Sequence, residues 1–173
     1  MKEKTFTTRK IAFLGMMLSM IFVILILERM LPPIPFFPPN FKLGISNIVV
    51  MFIVFTIGGR EALTIGILKG LFNLLQRGTV AGMISLSGGI FSILILVLLT
   101  KLFKNKLSLI TLSIVGAIFH NLGQLVMASF VLQAPYLFLG YLPILLIAGV
   151  ILGALTGMAT QNIMPIFSRI YRR

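Results

Sequence analysis

The chain of 173 residues has no cysteine and no aspartate, and its only acids are three dispersed glutamates, Glu3, Glu28 and Glu61. The lack of cysteine excludes disulfides, thiolate metal sites and thiol catalysis. A single histidine, His120, without nearby carboxylates is a poor metal site, so no metal is expected. Paired-carboxylate catalysis, two-metal phosphoryl transfer and aspartate-rich diphosphate–magnesium sites all lack their ligands. No G-x-x-x-x-G-K-[ST] motif occurs, which excludes an ATPase of that type. The expectation is a protein that binds or conducts, with no enzymatic activity and no cofactor, and any ATP is hydrolysed by a partner.

Charge is scarce too: charged residues are 10% and hydrophobic ones 58% of the chain, with a mean hydropathy of +1.11. A soluble domain carries about a quarter charged residues, so lipid is the expected solvent. Residues 11–27, 43–59 and 78–100 contain no Asp, Glu, Lys or Arg, and neither do residues 107–168. A spanning helix needs about 20 mostly apolar residues, and the last stretch holds two spans around the turn Gln133-Ala134-Pro135-Tyr136. Residues 11–27 are long for a secretory core and lack a small-x-small cleavage site, so they read as a retained first span.

The expected fold is an all-α integral membrane protein, one domain over residues 1–173. It is a bundle of six transmembrane helices near 11–30, 43–59, 61–76, 79–100, 107–132 and 141–166, with both termini cytoplasmic in a cell membrane. In this topology eleven Lys and Arg lie inside (Lys2, Lys4, Arg9, Lys10, Arg60, Lys101, Lys104, Lys106, Arg169, Arg172, Arg173) and three outside (Arg29, Lys42, Arg77), with Lys69 buried. That bias orients the bundle by the positive-inside rule. It also accounts for most of the net charge of +12 without invoking nucleic acid, because the bases flank apolar spans and form no surface stripe.

Residues 31–41 hold five of the eight prolines and three phenylalanines, so they form an extended strap and not a helix. It either rests on lipid headgroups or closes over an outward pocket, with Pro35, Phe36, Phe37 and Asn40 as the gating residues.

Polar side chains inside spans are costly and face a bundle interior or a wet cavity. Lys69, Asn73 and Gln76 share one face of the third helix with Arg77 above them; His120 and Gln124 share a face of the fifth, beside Asn121; Asn47 lies near the outer end of the second. Together they suggest an outward-opening, substrate-binding pocket. Singly, each amide is equally at home as interhelical glue worth about 1 kcal/mol or less, and His120 as a satisfied packing residue. Lys69, at mid-span, either meets an anionic or carbonyl-rich ligand or pairs with a carboxylate such as Glu28.

Small residues mark close helix approaches. Gly149, Gly153 and Gly157 groove the sixth helix, Gly66 and Gly70 the third, and Ala12, Gly15 and Ser19 line a face of the first that suits either internal packing or docking of a partner.

The segment Lys42-Leu43-Gly44-Ile45-Ser46-Asn47-Ile48-Val49-Val50, with Gly59-Arg60-Glu61-Ala62-Leu63 and Gly66-Ile67-Leu68-Lys69-Gly70-Leu71, resembles the substrate-binding S components of energy-coupling factor (ECF) transporters. It looks most like the branch labelled Gx transporter or heptaprenyl diphosphate synthase component I. The resemblance implies a six-helix subunit that captures a vitamin-like, isoprenoid-related or flavin-related micronutrient under a flap formed by residues 32–41, then docks on a T component driven by two ATPases. Carried over by position, its pocket draws on Asn47, Lys69, Asn73, Gln76, His120, Asn121 and Gln124. The family's docking signature is Ala-x-x-x-Ala; here Ala12 is followed by Met16, and the nearest small pair is Gly15 and Ser19. The other reading is a non-catalytic membrane scaffold or anchor in redox or isoprenoid metabolism. A binding subunit keeps a cavity near Lys69 and His120, whereas a scaffold fills it.

Overall fold

Long apolar runs in lipid satisfy their backbone groups internally, and the chain does so as helices. The computed structural model describes residues 8–30, 44–103 and 106–172, with side chains of the last helix described to residue 166. The elements are α1 (Thr8–Met30), α2 (Ser46–Thr56), α3 (Gly59–Arg77), α4 (Thr79–Leu102), α5 (Leu109–Val131) and α6 (Tyr136–Arg172), and no strand occurs among the described residues. The expected strap with Pro35, Phe36, Phe37 and Asn40 lies outside them.

Among the described residues four helices are long and apolar enough to cross a membrane: α1, α4, α5 and the Tyr136–Ile166 part of α6. The second expected span is shorter than its sequence suggested. Its helix has 11 residues, about 16 Å at the usual 1.5 Å rise, because the helix starts only at Ser46 and the chain turns at Ile57 and Gly58 into α3. The 19 residues of α3 are long enough, but Arg60, Glu61, Lys69 and Arg77 dilute its apolar character. The sixth helix begins at Tyr136, five residues before its expected start, and continues through Pro143 and Pro165, each of which removes one backbone donor.

Consecutive helices alternate in direction. Lys10 pairs with Glu61 at the start of α1 and α3, Phe22 stacks on Phe72 at 3.9 Å midway, and Arg29 Nη1 reaches the Gln76 carbonyl at 3.5 Å near both ends. Thus α1 and α3 run parallel, with α2 returning between them and presenting Phe52 to Phe13. The α3–α4 link is a single residue, Gly78, whose φ of 84° suits glycine and strains other residues. Ser108 caps α5 by accepting the Thr111 N–H at 3.0 Å, a contact worth about 1 kcal/mol.

The α5–α6 seam is set by the glycine stripe. A Cβ on Gly153 would lie 2.6 Å from Ile114 Cα, and one on Gly157 2.8 Å from Ile110 Cα, so the groove of α6 is filled by α5. Gly66 and Gly70 likewise admit Ile93 and Leu86 of α4. Close backbone approach is the main source of helix association where lipid leaves little hydrophobic gain. The starts of α1, α3 and α5 share one end of the bundle with the ends of α2 and α4. Arg9, Lys10, Arg60, Lys101 and Lys106 gather there, and Arg29 and Arg77 lie at the other end.

Candidate functional site

Close helix packing leaves space where side chains are small. Between α2, α4, α5 and α6 lies a chamber of about 40 Å³ whose polar walls are Asn47, Ser92, Ser113, His120, Asn121 and Thr156. A second recess of about 20 Å³ shares Asn47, Met51, Ser92 and Leu96 with it and adds Lys69. No carboxylate lines either space among the described residues. Glu28 accepts the Ile45 N–H at 2.5 Å, and Glu61 is engaged by Lys10.

Lys69, 6% exposed at the middle of α3, directs its ammonium to Asn47 Oδ1 at 2.5 Å. This contact exists because α2 is short, so that its first turn lies level with the centre of α3. His120 is buried in the chamber wall. One ring nitrogen, Nδ1, is buried with no hydrogen-bond partner among the described residues, and the ring lies against Gly88 of α4. A neutral imidazole carries one N–H and one lone pair, so the ring can donate to a ligand or accept from it.

Asn121 Nδ2 donates to the Leu145 carbonyl at 2.9 Å, and the Ser113 and Thr156 hydroxyls pair at 2.9 Å. Both contacts join α5 to α6 while leaving the groups in the chamber wall. Chemically the chamber and its adjoining recess offer one ammonium, two amides, hydroxyls and an imidazole, a set that suits an anionic or carbonyl-rich group over a cation.

Of the residues read from the sequence, Asn47, Lys69, His120 and Asn121 come together here. Asn73 is buried but donates to Ser85 Oγ at 2.8 Å, joining α3 to α4. Gln76 offers its backbone carbonyl to Arg29, and Arg77 stands with Arg29 and Glu28 at the bundle's end. Gln124 packs against Gly88; these four do not line the chamber. Ser92, Ser113 and Thr156 line it unannounced, and a serine in an apolar helix carries no sequence signal that separates a cavity wall from ordinary packing. On α1, Ala12, Gly15 and Ser19 lie exposed, with open space over Gly15 and the Ser19 hydroxyl turned to the Gly15 carbonyl at 3.0 Å.

Comparison with known proteins places this geometry. None of the curated proteins matches the chain. Among solved structures it is similar to the S component of a bacterial ECF transporter, with 24% identity, 92% of each chain covered and a TM-score of 0.62, which shows a shared fold. Residues 17–163 match the family model described as heptaprenyl diphosphate synthase component I, and the chain belongs to that family.

Proposed function

We propose that this protein is the membrane-embedded substrate-binding subunit of an ECF-type uptake transporter. In this reading it crosses the cell membrane six times with both termini in the cytoplasm and captures a vitamin-like, isoprenoid-related or flavin-related micronutrient. The single observation that carries the reading is the buried Lys69–Asn47 contact beside a chamber walled by His120 and Asn121 and lined by no carboxylate among the described residues. A mid-span ammonium is costly to bury unless polar groups meet it, and here the Asn47 contact holds it in the wall of a recess that adjoins the chamber. The S-component fold supports the same reading.

Substrate recognition falls to Asn47, Lys69, His120 and Asn121, with Asn73, Gln76, Arg77 and Gln124 as the outer supporting polar groups. The strap with Pro35, Phe36, Phe37 and Asn40 closes over the entrance. The exposed Ala12, Gly15 and Ser19 face meets a T component that two ATPases drive. Catalysis is not assigned despite the family's description, since the chain has no aspartate and its glutamates are dispersed.

Native mass spectrometry of gently purified protein tests this. A co-purified small molecule should appear on the wild-type chain and vanish in Lys69→Met while thermal unfolding remains cooperative. An adduct retained unchanged by Lys69→Met would sink the assignment.

A further inference from the structure

A second space lies beside the chamber. Between α1, α2 and α6 is a cleft of about 140 Å³ walled by Met17, Met20, Val49, Phe52, Ile163 and Met164. Among the described residues that line it Thr160 is the one polar side chain, and it donates its hydroxyl to the Thr156 carbonyl at 2.7 Å, so these walls make no polar demand on an occupant. Ile48 lines both this cleft and the polar chamber and is the partition between them. An apolar space of this size holds a benzene-sized group, and methionines adapt to varied hydrocarbon shapes.

Either side of Ile48 thus offers opposite chemistry: amides, hydroxyls and an imidazole on one, with the Lys69 ammonium in the adjoining recess, and hydrocarbon and thioether on the other. We propose that the substrate is an amphiphile, with an anionic, oxygen-rich head at Lys69, Asn47 and His120 and a narrow hydrocarbon tail that passes Ile48 into the cleft between α1, α2 and α6. This rests on the reading of the chamber as the substrate site and adds the class of molecule it takes. The Lys69 ammonium, with no carboxylate among the described residues that line the three spaces, makes the head an anion and not a cation. Tail occupancy also links substrate to α1, since Met17 and Met20 close the cleft from that helix.

The test uses the full chain in lipid nanodiscs and three probes, acetate, hexanoate and hexylammonium, followed by ligand-observed NMR titration. Hexanoate should bind at least tenfold tighter than acetate, and hexylammonium should not compete with it. Val49→Phe, which fills the cleft, should reduce hexanoate to the acetate level and leave acetate unchanged. Because that variant can perturb packing, benzene provides a second measurement: it should displace hexanoate from the wild-type chain and not acetate. Lys69→Met should weaken both acids.

Equal affinity for the two acids, with acetate still dependent on Lys69, overturns the tail and leaves the uptake reading intact. Hexanoate binding that falls with Val49→Phe but ignores Lys69→Met shows a cleft for a bilayer lipid chain and overturns the proposal. Failure of both acids to bind overturns it as well, and the uptake reading then stands or falls on the co-purified adduct.

Discussion

The ammonium of Lys69 and the carboxamide oxygen of Asn47 meet at 2.5 Å, joining the middle of α3 to the first turn of α2. The contact lets a cation sit at mid-span and holds it at the edge of a chamber. Asn47→Leu removes its acceptor and should destabilise the bundle by about 2–3 kcal/mol, as loss of one partner of a buried charged hydrogen bond does. The double variant with Lys69→Met should recover part of that loss. Thermal unfolding of the two singles and the double in nanodiscs measures the coupling, and strict additivity would show that the contact is energetically idle.

Lys10 and Glu61 form the corresponding clamp between the starts of α1 and α3, each 8% exposed. Glu61→Gln leaves the buried Lys10 ammonium without its carboxylate and should cost about 3 kcal/mol. Neighbouring Arg60 is exposed, and Arg60→Gln should stay within about 0.5 kcal/mol. Chemical denaturation of the two variants side by side is the measurement, and equal losses would count against the clamp.

Glycines on α6 and α1 predict opposite outcomes. Gly153→Ala places a methyl 2.6 Å from Ile114 Cα, and the forced separation of α5 and α6 should cost about 1–3 kcal/mol. Gly15→Ala meets open space and should stabilise α1 by up to about 1 kcal/mol through helix propensity. Melting temperatures of the two variants decide this, while uptake activity of Gly15→Ala tests whether that face receives a partner.

Topology is open to direct test because the chain contains no cysteine. With the proposed orientation, Thr79→Cys, exposed at the start of α4, should react with a membrane-impermeant maleimide on intact cells. Lys101→Cys, exposed at the far end of the same helix, should react only after permeabilisation. The reverse pattern would invert the molecule and remove outward capture.

Much of the helical plan is legible without coordinates. Apolar runs bounded by bases place α1, α4 and α5 within a few residues, and the glycine triplet of α6 marks a seam. The short reach of α2 was not legible, since residues 43–59 read as one unbroken apolar run while the helix occupies only Ser46–Thr56. Hydropathy records which segments prefer lipid and carries no information on where a neighbouring helix forces the chain to turn.

The same division runs through the site. Helical spacing groups Lys69, Asn73 and Gln76 on one face, yet that face is wide enough to serve two neighbours, and Asn73 turns to Ser85 while Lys69 turns to Asn47. Sequence by itself determined that this is a membrane-borne helical protein, because an excess of apolar side chains and a scarcity of charge permit no other solvent. It also determined which few polar groups demand an explanation. Tertiary structure alone decided which of them meet, since a chamber is made by small residues on separate helices, Ser92, Ser113, Gly149 and Thr156, whose proximity depends on backbone approach and not on any spacing along the chain.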